Sequence, residues 1–200
     1  MSDSSPSDGL LLRLRDGHPV LLRPMSAADR GRLSEGLARL SARSRYQRFF
    51  FRLGRFSEAQ LNYLTQVDQV DHVAWSALDP ATPGLPGLGV GRFVRSPAEP
   101  SLAEWALTVV DSHQRRGLGT LLAGVLYLTA QARNVTVLRA SVLPGNWAVT
   151  NWLQKLGGRV KYCPDVWEVD LPVERERLPA TAGRFAQLVE ELRQGGGLNF

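Results

Sequence analysis

Among its 200 residues the chain has one cysteine, Cys163. A single thiol excludes an intrachain disulfide and any zinc site built on cysteines. No stretch approaches the roughly 18 apolar residues of a membrane-spanning helix. Residues 1–9 are rich in Ser and Asp and lack the basic and apolar parts of a secretory signal. They read as a disordered leader, and a cytoplasmic setting fits. Internal repeats are missing. So is any Gly-Lys-Ser/Thr triplet, which excludes a Walker phosphate loop. Two Gly-x-Gly pairs, at 87–89 and 117–119, fail the dinucleotide fingerprint. Its third glycine is replaced by Arg92 in the first and Leu122 in the second. Neither a Ser-His-Asp nor a Cys-His set stands out, so a covalent enzyme intermediate is not the simplest chemistry here.

What remains is a chain of ordinary hydrophobic content, 44%, long enough for one domain with a substantial core. Its formal net charge is +5, a balance that suits nucleic acid or a polyanionic small ligand. Arg39, Arg43, Arg45, Arg48, Arg52 and Arg55 lie close together, interleaved with Tyr46, Phe49, Phe50, Phe51 and Phe56. No nucleic-acid signature accompanies them. The segment reads as an amphipathic helix with solvated arginines, followed by an extended stretch at 49–52.

Turn and cap residues divide the rest. Residues 10–15 and 20–23 read as short strands around an Asp16-Gly17 turn that holds a solvated His18. Ser26 and Ser57 read as helix N-caps, with Leu33, Leu37 and Leu40 as an apolar stripe. Residues 72–78, 88–94 and 102–110 read as a three-strand meander. A helix follows at 118–132, then a strand at 135–143, a helix ending at Gly157-Gly158, and strands at 159–163 and 166–171. An amphipathic helix at about 180–193 precedes a glycine run at 195–197. This order predicts a mixed α/β (α+β) domain on one twisted sheet. Helices flank the sheet, and the strands at 102–110 and 135–143 form a central parallel pair.

The stretch Val110–Thr120 carries the most chemical information. A strand runs into it and a helix runs out of it. Such a turn aims backbone N–H groups at one point, at the positive end of a helix dipole. Gly117 and Gly119 permit close approach of a ligand, and Arg115 and Arg116 add charge. The implied ligand is an anion such as a pyrophosphate.

Gln114-Arg115-Arg116-Gly117-Leu118-Gly119 matches the acetyl-CoA loop pattern Gln/Arg-x-x-Gly-x-Gly/Ala. Ala103-Glu104-Trp105-Ala106, Gly89-Val90-Gly91-Arg92-Phe93 and the stretch 40–50 match further motifs. With them the chain resembles the GNAT superfamily of N-acetyltransferases, and within it the Pat-type protein lysine acetyltransferases. The resemblance covers about 10–171. It implies a GNAT domain at 10–172, with a tail at 173–200 outside it. It implies acetyl-CoA as cosubstrate, with no metal, and transfer to an amine in a ternary complex. The acceptor would be a protein lysine, on a partner such as an acyl-CoA synthetase. A small-molecule amine acetyltransferase, and a silent CoA-sensing or nucleic-acid-binding module, are the rival readings. A monomer and a homodimer both fit, the tail helix capping the domain's own core more readily than a partner's.

The site residues follow. Val109, Val110, Gln114, Arg115, Arg116, Gly117, Leu118, Gly119 and Thr120 would form the cofactor loop. Asn146 would contact the pantetheine arm or cap its helix. Glu104 would be the general base. It shares a strand face with Ala106, Thr108 and Val110, roughly 20 Å from Val110 at about 3.3 Å per residue, comparable to the arm. His72 would assist Glu104 or play a structural part, and His113 would brace the turn. The tyrosine that many family members carry seven residues beyond the Asn is Leu153 here. The thiolate's proton would then come from water, Tyr127 or Tyr162.

Overall fold

The computed structural model describes residues 9–174 and 183–194. The leader, apart from Gly9, and the glycine run at 195–197 lie outside the described residues, as do the first residues of the tail helix.

Strands β1 (Leu10–Arg13) and β2 (Pro19–Pro24) form an antiparallel hairpin. Its turn uses Gly17 at φ +84°, an angle open to glycine at little cost. Three short helices follow: α1 (Arg30–Ala38), α2 (Ala42–Phe49) and α3 (Glu58–Thr65). Ser57 caps α3 reciprocally. Gln60 N donates to Ser57 Oγ at 3.2 Å and Ser57 N donates to Gln60 Oε1 at 2.8 Å. Helix α2 corrects the extended reading of 49–52. It runs to Phe49 and stops because Phe50 turns left-handed, φ 66°, donating its N–H to Tyr46 O at 2.8 Å. The turn is held from both sides. Phe49 packs on Leu37, Leu40 and Leu53, and Arg45 donates to the carbonyls of Leu40 and Ala38 at 3.1 and 3.3 Å. The solvated reading of this arginine cluster is corrected at two positions. Arg45 and Arg48 turn inward, onto Leu40 O and Thr108 Oγ1, while Arg39, Arg43, Arg52 and Arg55 are exposed.

The meander is β3 (His72–Leu78), β4 (Gly87–Arg95) and β5 (Leu102–Val109). Helix α4 (Leu118–Ala132) leads to β6 (Val137–Val142), α5 (Trp147–Lys155), β7 (Arg159–Lys161) and β8 (Trp167–Pro172). Helix α6 (Gly183–Gln194) closes the described chain. All the strands join one sheet in the order β1-β2-β3-β4-β5-β6-β8-β7. The expected central parallel pair is β5 with β6.

The two faces of the sheet are covered differently. Helix α4 is apolar nearly all round, because it lies between the sheet and α6. Leu122 and Leu126 press on Gly89 and Gly91 of the sheet, and Trp75 Nε1 donates to Thr129 Oγ1 at 3.2 Å. Gly124 lets α6 approach, since a Cβ there would stand 2.7 Å from Leu192 Cδ1. Phe185, Val189 and Leu192 of α6 are buried, each contributing about 1.5–3 kcal/mol. On the opposite face, α1, α2 and α3 cover β3–β5 less completely and leave a cavity.

Candidate active site

Strands β5 and β6 pair over three positions only: Leu102 with Val137, Ala103 with Leu138, and Glu104 with Arg139. Beyond Glu104 they diverge, so β5 from Trp105 to Val109 has no strand partner on that side among the described residues. The divergence opens a cleft in the middle of the sheet. The loop from Val110 to Gly117 lies at its wide end.

That loop is held on all sides. Gln114 Nε2 donates to Val109 O at 3.1 Å, to Asp111 Oδ1 at 3.1 Å and to Ser44 Oγ of α2 at 3.3 Å. Ser41 N donates to Asp111 Oδ2 at 3.1 Å. From the other side, Arg15 N donates to Arg116 O, and Arg116 Nε donates to Asp16. That guanidinium holds the Asp16 carboxyl below its usual range. Arg116 is thereby committed to the β1–β2 hairpin instead of lying free for an anion. Arg115 is exposed, at φ 61°, with no partner among the described residues. Val110 N is used by Leu88 O. Among the described residues nothing accepts from the amides of Arg115, Arg116, Gly117, Leu118 or Gly119. Gly117 caps α4 at φ +98°, where a side chain would be strained and would meet Arg15. The result is a cluster of unused donors at the helix's positive end, fit for a pyrophosphate.

The walls of the cleft are aromatic. Trp152 Nε1 donates to Thr120 Oγ1 at 3.3 Å, and the rings of Trp105 and Trp152 lie 6.5 Å apart. Trp105 Nε1 is buried without an acceptor among the described residues. An unpaired buried donor is costly, and this one stands on the stretch of β5 that β6 leaves uncovered. A carbonyl-bearing ligand such as the amide arm of acetyl-CoA would satisfy it. Asn146 precedes α5 and is half-buried. Its side chain makes no capping bond, so its amide is uncommitted at the mouth of the cleft.

Glu104 stands on the last paired position and is exposed, so no apolar pocket encloses its carboxylate. Alternation turns Trp105 to the opposite face. Among the described residues nothing pairs with the Glu104 carboxylate. Its cross-strand neighbour Arg139 is committed to Asp170, at 2.7 and 2.8 Å. That bond raises the guanidinium above its ordinary range.

The histidines sort cleanly. His72 is two strands from Glu104, across Val94, roughly 10 Å at the usual strand spacing. It does not reach Glu104. Its Nε2 lies 3.1 Å from Arg92 Nη1. Burial, and then the Arg92 charge, lower its pKa. His113 stacks edge-on against His18 at 5.3 Å, fastening the loop to the hairpin turn. His18 is therefore half-buried, not solvated, with Nε2 3.2 Å from Asp79 Oδ1. Tyr127 is buried against Phe185, its hydroxyl accepting from Glu174 N at 2.8 Å. Burial raises its pKa, and its hydroxyl is engaged by Glu174 N beside α6. Tyr162 is exposed, in an aromatic cluster with Trp147 and Trp167. Leu153 is buried in the core.

No protein-family model matches the chain. It is 33% identical over 164 residues to the acetyltransferase Pat of Mycolicibacterium smegmatis, covering 80% of this chain and 48% of that protein. An acetyltransferase of Pseudomonas aeruginosa is 33% identical over 109 residues, 54% of this chain and 58% of that one. The chain spans about half the length of the curated relatives it matches. Among solved structures, the GNAT domain of S. lividans PAT matches with a TM-score of 0.75 at 26% identity. The match covers 86% of this chain and 99% of that one. A cAMP-binding acyltransferase from Mycobacterium smegmatis matches with a TM-score of 0.59 at 26% identity, over 93% and 55%. The chain is a domain of the GNAT superfamily of N-acetyltransferases. Within that superfamily it stands close to the Pat-type acetyltransferases.

Proposed function

We propose that the protein transfers acetyl from acetyl-CoA to an amine, a protein lysine, by direct attack within a ternary complex. The observation that carries this is the unpaired Glu104 carboxylate at the point where β5 and β6 part. The bound cosubstrate supplies an activated acetyl thioester. The amides of 115–119, with Arg115 and Thr120, would hold its pyrophosphate, and Asn146 and Trp105 Nε1 its arm. Gln114 and Arg116 keep that loop in shape. Glu104 takes a proton from the ammonium, directly or through water, because an ammonium has no lone pair. The new N–C bond forms as the C–S bond breaks, and the attacking nitrogen sheds its second proton to water. Burial of Tyr127 leaves water or Tyr162 to return a proton to the thiolate.

An acyl-CoA synthetase is a fitting acceptor protein, by likeness to the Pat-type group. A free amine is the rival acceptor, and Glu104 speaks against a silent CoA-sensing module. Incubation with acetyl-CoA and a protein lysate, and separately with an amine panel, separates these readings by mass spectrometry. Acetylated protein lysines are the expected product. Acetylated free amines alone would replace the protein acceptor with a small molecule, and failure to bind acetyl-CoA would overturn both.

A further inference from the structure

Two arginines that the cofactor cleft does not use meet under α1–α3. Arg48 comes from α2 and Arg92 from β4. Arg48 Nε donates to Thr108 Oγ1 at 3.1 Å, and its two terminal nitrogens donate to no described residue. Arg92 is 7% exposed. It meets His72 Nε2 at 3.1 Å and donates to Leu64 O at 3.1 Å. Neither guanidinium has a carboxylate within ion-pair distance among the described residues. Both line one cavity of about 60 Å³, room for a few water-sized groups.

Arg92 is buried and Arg48 half-buried, and like charges drawn from water without a counter-ion are costly. Burial pulls the Arg48 guanidinium down to about 10, and burial and then the Arg48 charge do the same to Arg92. The one carboxylate in the cavity wall, Asp29, cannot relieve it. Asp29 is buried and held by Arg23 at 2.6 and 2.8 Å, by Arg32 at 3.3 Å and by Ser26 N at 3.0 Å. The rest of the lining is largely apolar, including Met25, Leu40, Phe49 and Leu64. A planar fork beside apolar walls fits a carboxylate on a short carbon stem. A dianion would have to shed more hydration to enter.

The cavity adjoins the candidate base. Ala106 and Thr108 line it, on the same face of β5 as Glu104. Along the strand they stand roughly 7 and 13 Å from Glu104. We propose that this cavity is an anion subsite of the acceptor site, in which Arg48 and Arg92 bind a carboxylate carried by the molecule whose amine meets Glu104. The amine half rests on the acetyl-transfer reading, and the carboxylate half does not. The carboxylate has two sources: an acidic side chain near the target lysine of a protein, or the carboxylate of a free amino acid.

The test uses the full chain. Sodium butyrate is titrated against sodium chloride at equal ionic strength, reading the arginine Nε–H resonances. A saturable shift of the Arg48 and Arg92 signals with butyrate alone is expected, lost in Arg48→Met. Absence of that shift, or an equal shift with chloride, overturns the subsite. If Arg48→Met does not fold, Arg48→Lys keeps the charge without the fork and is expected to weaken butyrate about tenfold. The second arm compares acceptors with acetyl-CoA. Lysine peptides carrying Glu or Gln beside the lysine, and free lysine or lysinamide, report kcat/KM. An acid preference of about tenfold in one pair supports the proposal and names the source. Equal rates in both pairs overturn the acceptor role. If no amine turns over, the acetyl-transfer reading fails while the butyrate titration still decides the site.

Discussion

Two regions of this molecule gather hydrogen-bond donors and positive charge, and they do so in opposite ways. The loop from Gln114 to Gly119 presents backbone N–H groups, fixed by a turn and a helix start. The cavity under α1–α3 presents side-chain forks, Arg48 and Arg92, brought together from separate elements. The loop stays at the surface and keeps its arginines solvated or paired. The cavity buries Arg92, half-buries Arg48 and leaves both without a carboxylate among the described residues. Backbone donors carry partial charge and tolerate an open site. Full charges in a low-dielectric wall gain from a ligand that neutralises them.

The comparison breaks most sharply at Glu104, on the strand that both regions share. Glu104→Gln is expected to lower kcat about 10²–10⁴-fold at neutral pH with acetyl-CoA affinity kept, since a base contributes about that much. Unchanged kcat would remove Glu104 from the chemistry. Next in size, Arg48→Met is expected to abolish the acid preference among acceptors, about tenfold or more, and to leave acetyl-CoA affinity alone. Gly117→Val reverses that pattern. A branched residue at φ +98° distorts the loop. Acetyl-CoA is expected to bind about tenfold more weakly, at a cost of about 1–2 kcal/mol, while the butyrate response persists. Calorimetric titration of both variants reads both affinities, and a loss of both ligands in either variant would mean the regions are not separable. Asp16→Asn, which weakens an exposed tie to Arg116, is expected to cost acetyl-CoA affinity less than about fivefold.

The smallest effect concerns acid. Burial and the Arg92 charge lower the pKa of His72, while burial and the Arg116 charge lower that of His113. The unfolded chain takes those protons near pH 6.5, and the folded chain resists them. Stability is therefore full above about pH 6.5 and falls as pH drops below it. His72→Gln keeps an acceptor for Arg92 and is expected to flatten the decline in Tm between about pH 6.5 and 5. An identical decline in the variant would assign it to other groups.

The contrast also explains what could be read from the chain alone. The loop was legible because its parts are consecutive: strand, Gly117, Gly119, apolar-periodic helix. Ser57 was legible as a cap for the same reason, since a cap sits directly before the turn it serves, while its reciprocal partner Gln60 emerged only with the structure. The face shared by Glu104 and Thr108 followed from alternation alone. The cavity was not legible, because Arg48, Arg92 and Thr108 lie on three elements and meet only when the sheet forms. Arg48 read as one more solvated cation on an amphipathic helix. The commitment of Arg116 was hidden likewise, its partner Asp16 being a hundred residues earlier. The left-handed Phe50 carried no glycine to announce it. The unpaired Trp105 indole reads as ordinary core until the divergence of β5 and β6 is seen.

That tie to Asp16 has a consequence for how the protein becomes active as it folds. The turn that would cradle a pyrophosphate rests on contacts from Arg15, Asp16 and His18, on the hairpin at the edge of the sheet. Contacts of such sequence separation form late, after the loop-closure entropy has been overcome. A chain whose sheet has assembled from β3 onward would already have Glu104 and β6 in place and still lack a firm cofactor turn. Ligand affinity would then appear last in refolding, behind the return of strand signal. In the folded protein, fraying of the β1–β2 edge would register first as exchange at the Arg15 amide, which donates to Arg116 O.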